Sequence, residues 1–222
     1  MKRNDFIVGF TLALSAVLIV FLTEQIIQPA YLIKSAVKLG CFLGAIGFYC
    51  LLTKKNLKEV LCLRKIKNPR PLLLAIICFF LGVSLAFLLS ENFIDLAGIK
   101  ASLISKEQLS RDNCLYVFAY IIIVNSFLEE SFFRGFLSGI FKDKRKGAIF
   151  ASLLFSLYHI GIFISWFNPL IFALCLIGLF LVGIFLEVLL KRHDSLFATY
   201  IVHASANIAI NIIGTLLIFE LI

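Results

Sequence analysis

Seven apolar stretches separated by short polar loops constrain the fold of this chain more than any other feature of its sequence. They cover approximately residues 6–23, 30–52, 72–90, 114–140, 147–165, 169–190 and 195–219. A helix needs roughly 17 to 25 mostly apolar residues to cross the hydrocarbon of a bilayer. A hydrophobic content of 61% and a mean hydropathy of +1.03 exclude a soluble globular domain. The sequence therefore predicts an all-α polytopic membrane helical bundle of about seven transmembrane helices.

The chain is predicted to form a single membrane domain, residues 1–222, because no polar segment between the stretches is large enough for a soluble domain. Residues 1–113 are predicted to supply accessory helices, a basic cytoplasmic loop and an external loop, and residues 114–219 the catalytic core helices. The first stretch follows Lys2 and Arg3, as in a signal peptide, but it is longer than usual and lacks a small-residue cleavage pattern. We therefore expect a retained helix.

The positions of the basic residues predict the topology. If the N-terminus is cytoplasmic, only Lys100, Lys106 and Arg111 fall outside, whereas Lys34, Lys38 and Arg134 lie within apolar stretches. The other basic residues fall inside: Lys2, Arg3, Lys54, Lys55, Lys58, Arg64, Lys65, Lys67, Arg70, Lys142, Lys144, Arg145, Lys146, Lys191 and Arg192. This asymmetry predicts an N-in, C-out protein, and it explains the net charge of +8 without a nucleic-acid partner. A short basic chain without an organelle-targeting signal favours a bacterial plasma membrane.

Polar residues inside the last apolar stretches are the candidate site. Ionisable groups are costly in hydrocarbon, so they usually face a protein interior and serve chemistry or transport. The candidates are Glu129, Glu130 and Arg134 in the fourth stretch, His159 in the fifth, and His203 and Asn207 in the seventh. On a helix, Glu130 and Arg134 lie on one face, where the guanidinium can hold a carboxylate. Glu129 is offset by about 100°, so that one carboxylate can face the arginine while the other points into a cavity.

The depth of these residues supports one shared site. Counted from the cytoplasmic ends of their stretches at about 1.5 Å per residue, Glu129, His159 and Asn207 lie roughly 16 to 18 Å deep and His203 about 12 Å deep. Any one of the polar groups, taken alone, is compatible with an interhelical clamp or a packing contact. Taken together, three helices that carry polar groups to a similar level indicate a common buried site.

The motifs resemble those of a known family of membrane proteases. The order Glu-Glu-x-x-x-Arg, Phe-x-x-x-His and His-x-x-x-Asn, with one motif in each helix, is similar to the CPBP or Abi family of intramembrane endopeptidases, which includes type II CAAX prenyl proteases and bacteriocin-processing enzymes. The motifs begin at Glu129, Phe155 and His203, and the resemblance covers roughly residues 114–210.

The resemblance implies a peptidase with a role for each candidate residue. It implies that Glu129 is the general base that activates a water molecule, with Glu130 and Arg134 in support. His159 would help to position the water. His203 and Asn207 would stabilise the oxyanion. The expected site residues are therefore Glu129, Glu130, Arg134, His159, His203 and Asn207.

No cofactor is expected, although two carboxylates and two imidazoles are also suitable Zn²⁺ ligands. The helical His-Glu-x-x-His pattern is absent, which favours a metal-free glutamate mechanism. The expected partners are the lipid bilayer and a peptide or protein substrate cut near the cytoplasmic leaflet. A prenylated CAAX tail, a pheromone precursor and a bacteriocin leader all remain open as substrates.

Two other functional classes remain open. A proton-coupled transporter uses the same residue types as a relay, although the chain shows no inverted repeats. A non-catalytic immunity or regulatory protein would keep the fold and bind a membrane partner.

Overall fold

The regular structure of the chain is helical throughout the part that the structure describes. The computed structural model describes residues 3–67, 69–163 and 166–222. The helices are α1 (Arg3–Leu22), α2 (Tyr31–Thr53), α3 (Leu57–Val60), α4 (Arg70–Ser90), α5 (Leu96–Ser105), α6 (Cys114–Tyr120), α7 (Ser126–Glu130), α8 (Lys144–Tyr158), α9 (Ile160–Phe163), α10 (Pro169–His193) and α11 (Leu196–Ile218). The predicted all-α polytopic bundle is confirmed.

Six continuous helical spans within the described residues are long and apolar enough to cross a membrane. They are Arg3–Ile27, Tyr31–Thr53, Arg70–Phe93, Cys114–Ile140, Pro169–His193 and Leu196–Ile218. Cys114–Ile140 is the fourth span. Within it, π turns at Ile121–Asn125 and Ser131–Leu137 lie on either side of α7. The protein is therefore a multi-pass membrane protein.

Within the described residues, the predicted fifth stretch, 147–165, does not form a membrane-length helix. The expectation of seven such helices is corrected at this stretch. Its helix, α8, has 15 residues, or about 22 Å of length, against a hydrocarbon thickness of about 30 Å. The α pattern ends because the backbone N–H of His159 turns to the carbonyl of Ser156, at 3.1 Å. Residues 164 and 165, like Lys2 of the topology prediction, lie outside the described residues.

The chain nevertheless reaches the opposite end of the bundle after α8. The side-chain amide of Gln25, at the end of the first span, donates to the carbonyl of Gly161, at 2.9 Å. The first residue of α8, Lys144, accepts a hydrogen bond on its carbonyl from Lys191 at the other end, at 3.3 Å. The short helix thus joins the two ends of the bundle.

The fourth span is the centre of the molecule. It contacts α1, α2, α8, α10 and α11, and its residues 128–138 are all buried. Around it, α1 packs on α2, α8 on α10 and α4 on α11. Helix α4 is peripheral, since Leu72 is its only buried residue, and its remaining apolar surface suits contact with lipid.

Aromatic rings lock α2 and α8 against the fourth span. The ring of Phe42 stacks on that of Phe132 with centroids 3.9 Å apart, and the ring of Phe133 meets that of Phe155 edge-on at 5.3 Å. Such pairs add geometric preference to the burial of apolar area. They hold the helices that carry the candidate site in a fixed relation to one another.

Ion pairs join loops at the two ends of the bundle. At the predicted cytoplasmic end, Arg64 pairs with Asp194, and this hydrogen bond holds the pKa of the Asp194 carboxyl below its ordinary value. At the predicted external end, Glu220 accepts from Lys100 at 2.6 Å and from Arg111 at 3.1 Å. These contacts fasten the loops around the spans.

Candidate active site

Glu129 lies at the centre of the candidate site, and its two carboxylate oxygens have different surroundings. Oε1 accepts hydrogen bonds from Lys38 Nζ at 2.6 Å and from Asn125 Nδ2 at 3.0 Å. Oε2 faces His203 Nε2 at 3.7 Å and His159 Nε2 at 4.0 Å. These last two distances exceed those of direct hydrogen bonds, and gaps of this size suit a bridging water molecule. One oxygen is thus fixed and the other faces two imidazoles.

The local structure of α8 directs the ring of His159 toward Glu129. Its Nδ1 lies 2.7 Å from the carbonyl oxygen of Phe155 one turn earlier. A carbonyl only accepts, so Nδ1 carries the proton, and in the neutral ring Nε2 presents its lone pair to the site. The rings of Phe155 and Tyr158 pack against the imidazole with centroids 4.6 and 5.1 Å away.

Glu130, Arg134 and His203 form a second linked group. His203 Nδ1 lies 2.9 Å from Glu130 Oε1, and Arg134 Nη1 lies 3.5 Å from the same oxygen. The predicted pairing of Glu130 with Arg134 on one helix face is therefore present. The guanidinium also lies 4.1 Å from the centroid of the Phe155 ring, in a cation–π contact.

Asn207 belongs to the same helix pair but makes a different contact. Its Nδ2 donates to Ser126 Oγ at 2.8 Å, and Ser126 stands one turn before Glu130 on the fourth span. The other five predicted residues, Glu129, Glu130, Arg134, His159 and His203, form one connected cluster.

Sequence reasoning missed Lys38 and Asn125. Lys38 stands in the second apolar stretch, and its charge inside that stretch is the sequence signal that could have identified it as a site residue. Its place near the external end of that stretch, one turn from Lys34, left it out of the candidate site. Asn125 precedes Glu129 by one helical turn, but amides are common as contacts between membrane helices, so its position alone carries little information.

The buried charges of the site are balanced in two pairs. Lys38 faces Glu129 and Arg134 faces Glu130, and all four side chains are almost fully buried. A buried charge is tolerated when an opposite charge and hydrogen bonds accompany it. Within the ranges that the structure describes, no group of three or more His, Cys, Asp or Glu side chains is arranged to hold a metal ion.

A cavity with several charged side chains in its lining opens beneath the site at the predicted cytoplasmic end. It has a volume of about 570 Å³, and Arg134 and Glu187 are among its lining residues, together with Lys55, Lys144 and Lys191. Ser138 donates to Glu187 Oε2 at 2.9 Å. Arg134 lines this cavity and also pairs with Glu130, so it links the cavity to the candidate site.

The comparison with protein families agrees with the motifs. Residues 111–209 match the family model described as Rce1-like, type II CAAX prenyl endopeptidase Rce1-like. The match covers just under half of the chain and includes all six predicted site residues, which confirms the family resemblance. It supports a CAAX-protease-like intramembrane peptidase. Neither the curated proteins nor the solved structures compared with the chain gave a match.

Proposed function

We propose that this chain, whose residues 111–209 match the Rce1-like family model of type II CAAX prenyl endopeptidases, uses Glu129 to activate water for peptide-bond hydrolysis within the membrane. The observation that carries the proposal is the position of Glu129 Oε2, which faces His159 Nε2 and His203 Nε2 at 4.0 and 3.7 Å. A water molecule in this gap meets a carboxylate oxygen and two ring nitrogens.

The proposed reaction begins with proton transfer from this water to Glu129 Oε2. The other O–H of the water donates a hydrogen bond to His159 Nε2, which orients the water oxygen toward the scissile carbonyl. Attack on the carbonyl carbon forms a tetrahedral intermediate. Glu129 then returns its proton to the leaving amine as the carbon–nitrogen bond breaks.

His203 and Asn207 are the proposed donors to the oxyanion. His203 is held by Glu130 through Nδ1 at 2.9 Å, and a ring with a proton on both nitrogens would present Nε2–H to the reacting group. The Asn207 amide has two N–H donors and uses one for Ser126. One donor to an oxyanion is worth about 3 kcal/mol.

The ammonium of Lys38 supports a mechanism without a metal ion. Its Nζ lies 2.6 Å from Glu129 Oε1, where a fixed positive charge repels a cation that approaches the same carboxylate. The cavity lined by Arg134 supports entry of the substrate from the cytoplasmic leaflet. We extend the proposal to a bacterial plasma membrane and to a membrane-associated peptide or protein substrate.

The test compares purified wild type with Glu129→Gln and His159→Ala on a library of internally quenched peptides, with a farnesylated CAAX peptide as a second arm. We expect each variant to lose at least about 100-fold in kcat, as for other general acid–base groups, and wild-type cleavage to survive a chelator. Glu91→Gln changes an exposed carboxylate far from the cluster and is the matched control. Equal cleavage by wild type and both site variants contradicts the proposal, and activity lost on chelation moves the site to the metal-dependent class.

A further inference from the structure

Lys38 reaches the proposed site from outside the segment that matches the family. It lies in α2, with only 7% of its surface exposed, and it is 91 positions away from Glu129 in the sequence. A lysine that serves only solubility at a membrane surface extends its ammonium toward the interface. Lys38 instead directs its ammonium inward, to a carboxylate on another helix.

Lys34 shows what a lysine on the same face of α2 does without a contact to the site. It stands one turn closer to the predicted external end, and its Nζ donates to Glu107 Oε1 and to the carbonyl of Lys106, both at 3.1 Å. Both lysines are equally buried. They differ in their partners: Lys34 fastens the external loop, and Lys38 binds Glu129.

The contact of Lys38 determines the direction of the second carboxylate oxygen. Oε1 of Glu129 receives two donors, Lys38 Nζ and Asn125 Nδ2. Because the carboxylate is planar and its two oxygens share one carbon, fixing Oε1 also fixes Oε2. That second oxygen is the one that faces the two imidazoles.

We infer that Lys38 is a positioning residue for the reaction: it acts through Glu129, whose carboxylate it holds with Oε2 directed at the reacting water. The inference rests on the proposed function of Glu129. It also means that α2, which lies before the matched segment, completes the active site.

The test measures kcat, KM and the thermal unfolding midpoint for wild type, Lys38→Met, Lys38→Arg, Lys34→Met and Glu129→Gln in lipid nanodiscs. The probe is the library peptide that wild type cleaves fastest. A catalytic group displaced by about 1 Å costs about 100-fold in rate, and we expect this loss of kcat for Lys38→Met. KM should stay within about twofold, as for interactions made mainly in the transition state. Lys38→Arg, which keeps a charged donor, should restore at least about tenfold over Lys38→Met.

The matched variant Lys34→Met removes an equally buried lysine that does not contact Glu129. It should keep the wild-type kcat if the effect of Lys38 is specific to its contact with Glu129. Wild-type kcat in Lys38→Met, with Glu129→Gln inactive, overturns the role of Lys38 and leaves the proposed function intact. Activity in Glu129→Gln overturns the proposed function itself. If Lys38→Met does not fold, Lys38→Gln replaces it, because a polar side chain suits the buried site, and its kcat should fall below that of Lys38→Arg because the ammonium charge is lost. Loss of kcat only in proportion to lost folded protein, without recovery in Lys38→Arg, assigns Lys38 a structural role and contradicts the inference.

Discussion

Glu129 and Glu130 are neighbours in sequence but serve different partners. Successive residues on a helix point about 100° apart, so Glu129 meets Lys38 of α2 while Glu130 meets His203 of α11. The six candidate residues were visible in the sequence because each is polar in an apolar stretch. The contact with Lys38 was not visible, because it depends on which helices pack together across a sequence separation of 91 positions.

At the residue scale, the pair of Glu130 and Arg134 should be essential for stability. Both side chains are fully buried, so Arg134→Met leaves Glu130 without its opposite charge. Removal of one partner of a buried pair typically costs about 3 to 5 kcal/mol. We expect a loss of this size in the unfolding free energy, measured by denaturation in mixed micelles.

Arg145→Met is the control for that measurement, because Arg145 is exposed in the first turn of α8. It should unfold like wild type. Equal stability of Arg134→Met and Arg145→Met would show that the Glu130 carboxylate does not depend on Arg134.

At the scale of the elements, apolar patterning predicted the six long spans but not the end of α8. The tight turn at His159 results from a local hydrogen bond to Ser156, and hydrophobicity carries no information about it. The apolar pattern likewise does not predict the π turns on either side of α7. Both features lie at the site, where local geometry departs from the regular helix that periodicity assumes.

Close packing of α8 on α10 depends on Gly183. A Cβ on Gly183 would lie 2.8 Å from Ser152 Cβ and 3.0 Å from Ser152 Cα, whereas a Cβ on Gly178 of the same helix meets nothing within 4 Å. Gly183→Ala therefore forces α10 away from α8, the helix that ends directly before His159. Overpacking of this kind typically costs about 1 to 3 kcal/mol, and we expect lower peptidase activity as well.

Gly178→Ala is the matched control for this substitution. It adds the same methyl group to α10 in open space and removes the helix penalty of glycine, so its stability should equal or slightly exceed that of wild type. Thermal unfolding and peptide cleavage of the two variants check the prediction. Equal behaviour of both would contradict the close contact of α8 with α10.

For the whole molecule, the distribution of basic residues predicts which end of the bundle is cytoplasmic and which end is external. The ion pairs of Asp194 and Glu220 join basic residues at the predicted cytoplasmic and external ends respectively. Alkaline phosphatase, which is active only outside the bacterial cytoplasm, should therefore be active when fused after Ile222 and inactive when inserted after Lys54. The reverse pattern would contradict the N-in, C-out orientation.

The division between accessory and core segments remains a prediction for the molecule as a whole. The matched segment 111–209 contains every predicted site residue, yet the structure brings Lys38 to Glu129 from the first half of the chain. Motif spacing identifies residues that share a helix face, but it does not identify which distant helix supplies the opposite charge. For that reason the sequence singled out the polar residues of the matched segment but not the buried lysine that contacts one of them.

In the proposed mechanism, Glu129 activates a water molecule and does not itself attack the substrate. Single-turnover cleavage in water labelled with heavy oxygen, followed by mass spectrometry of the products and of the enzyme, distinguishes these two roles. We expect one labelled oxygen in the new carboxylate of the cleaved peptide and none in the enzyme segment that contains Glu129. Labelled oxygen in the Glu129 carboxylate would contradict it, because that result requires a covalent intermediate on this side chain.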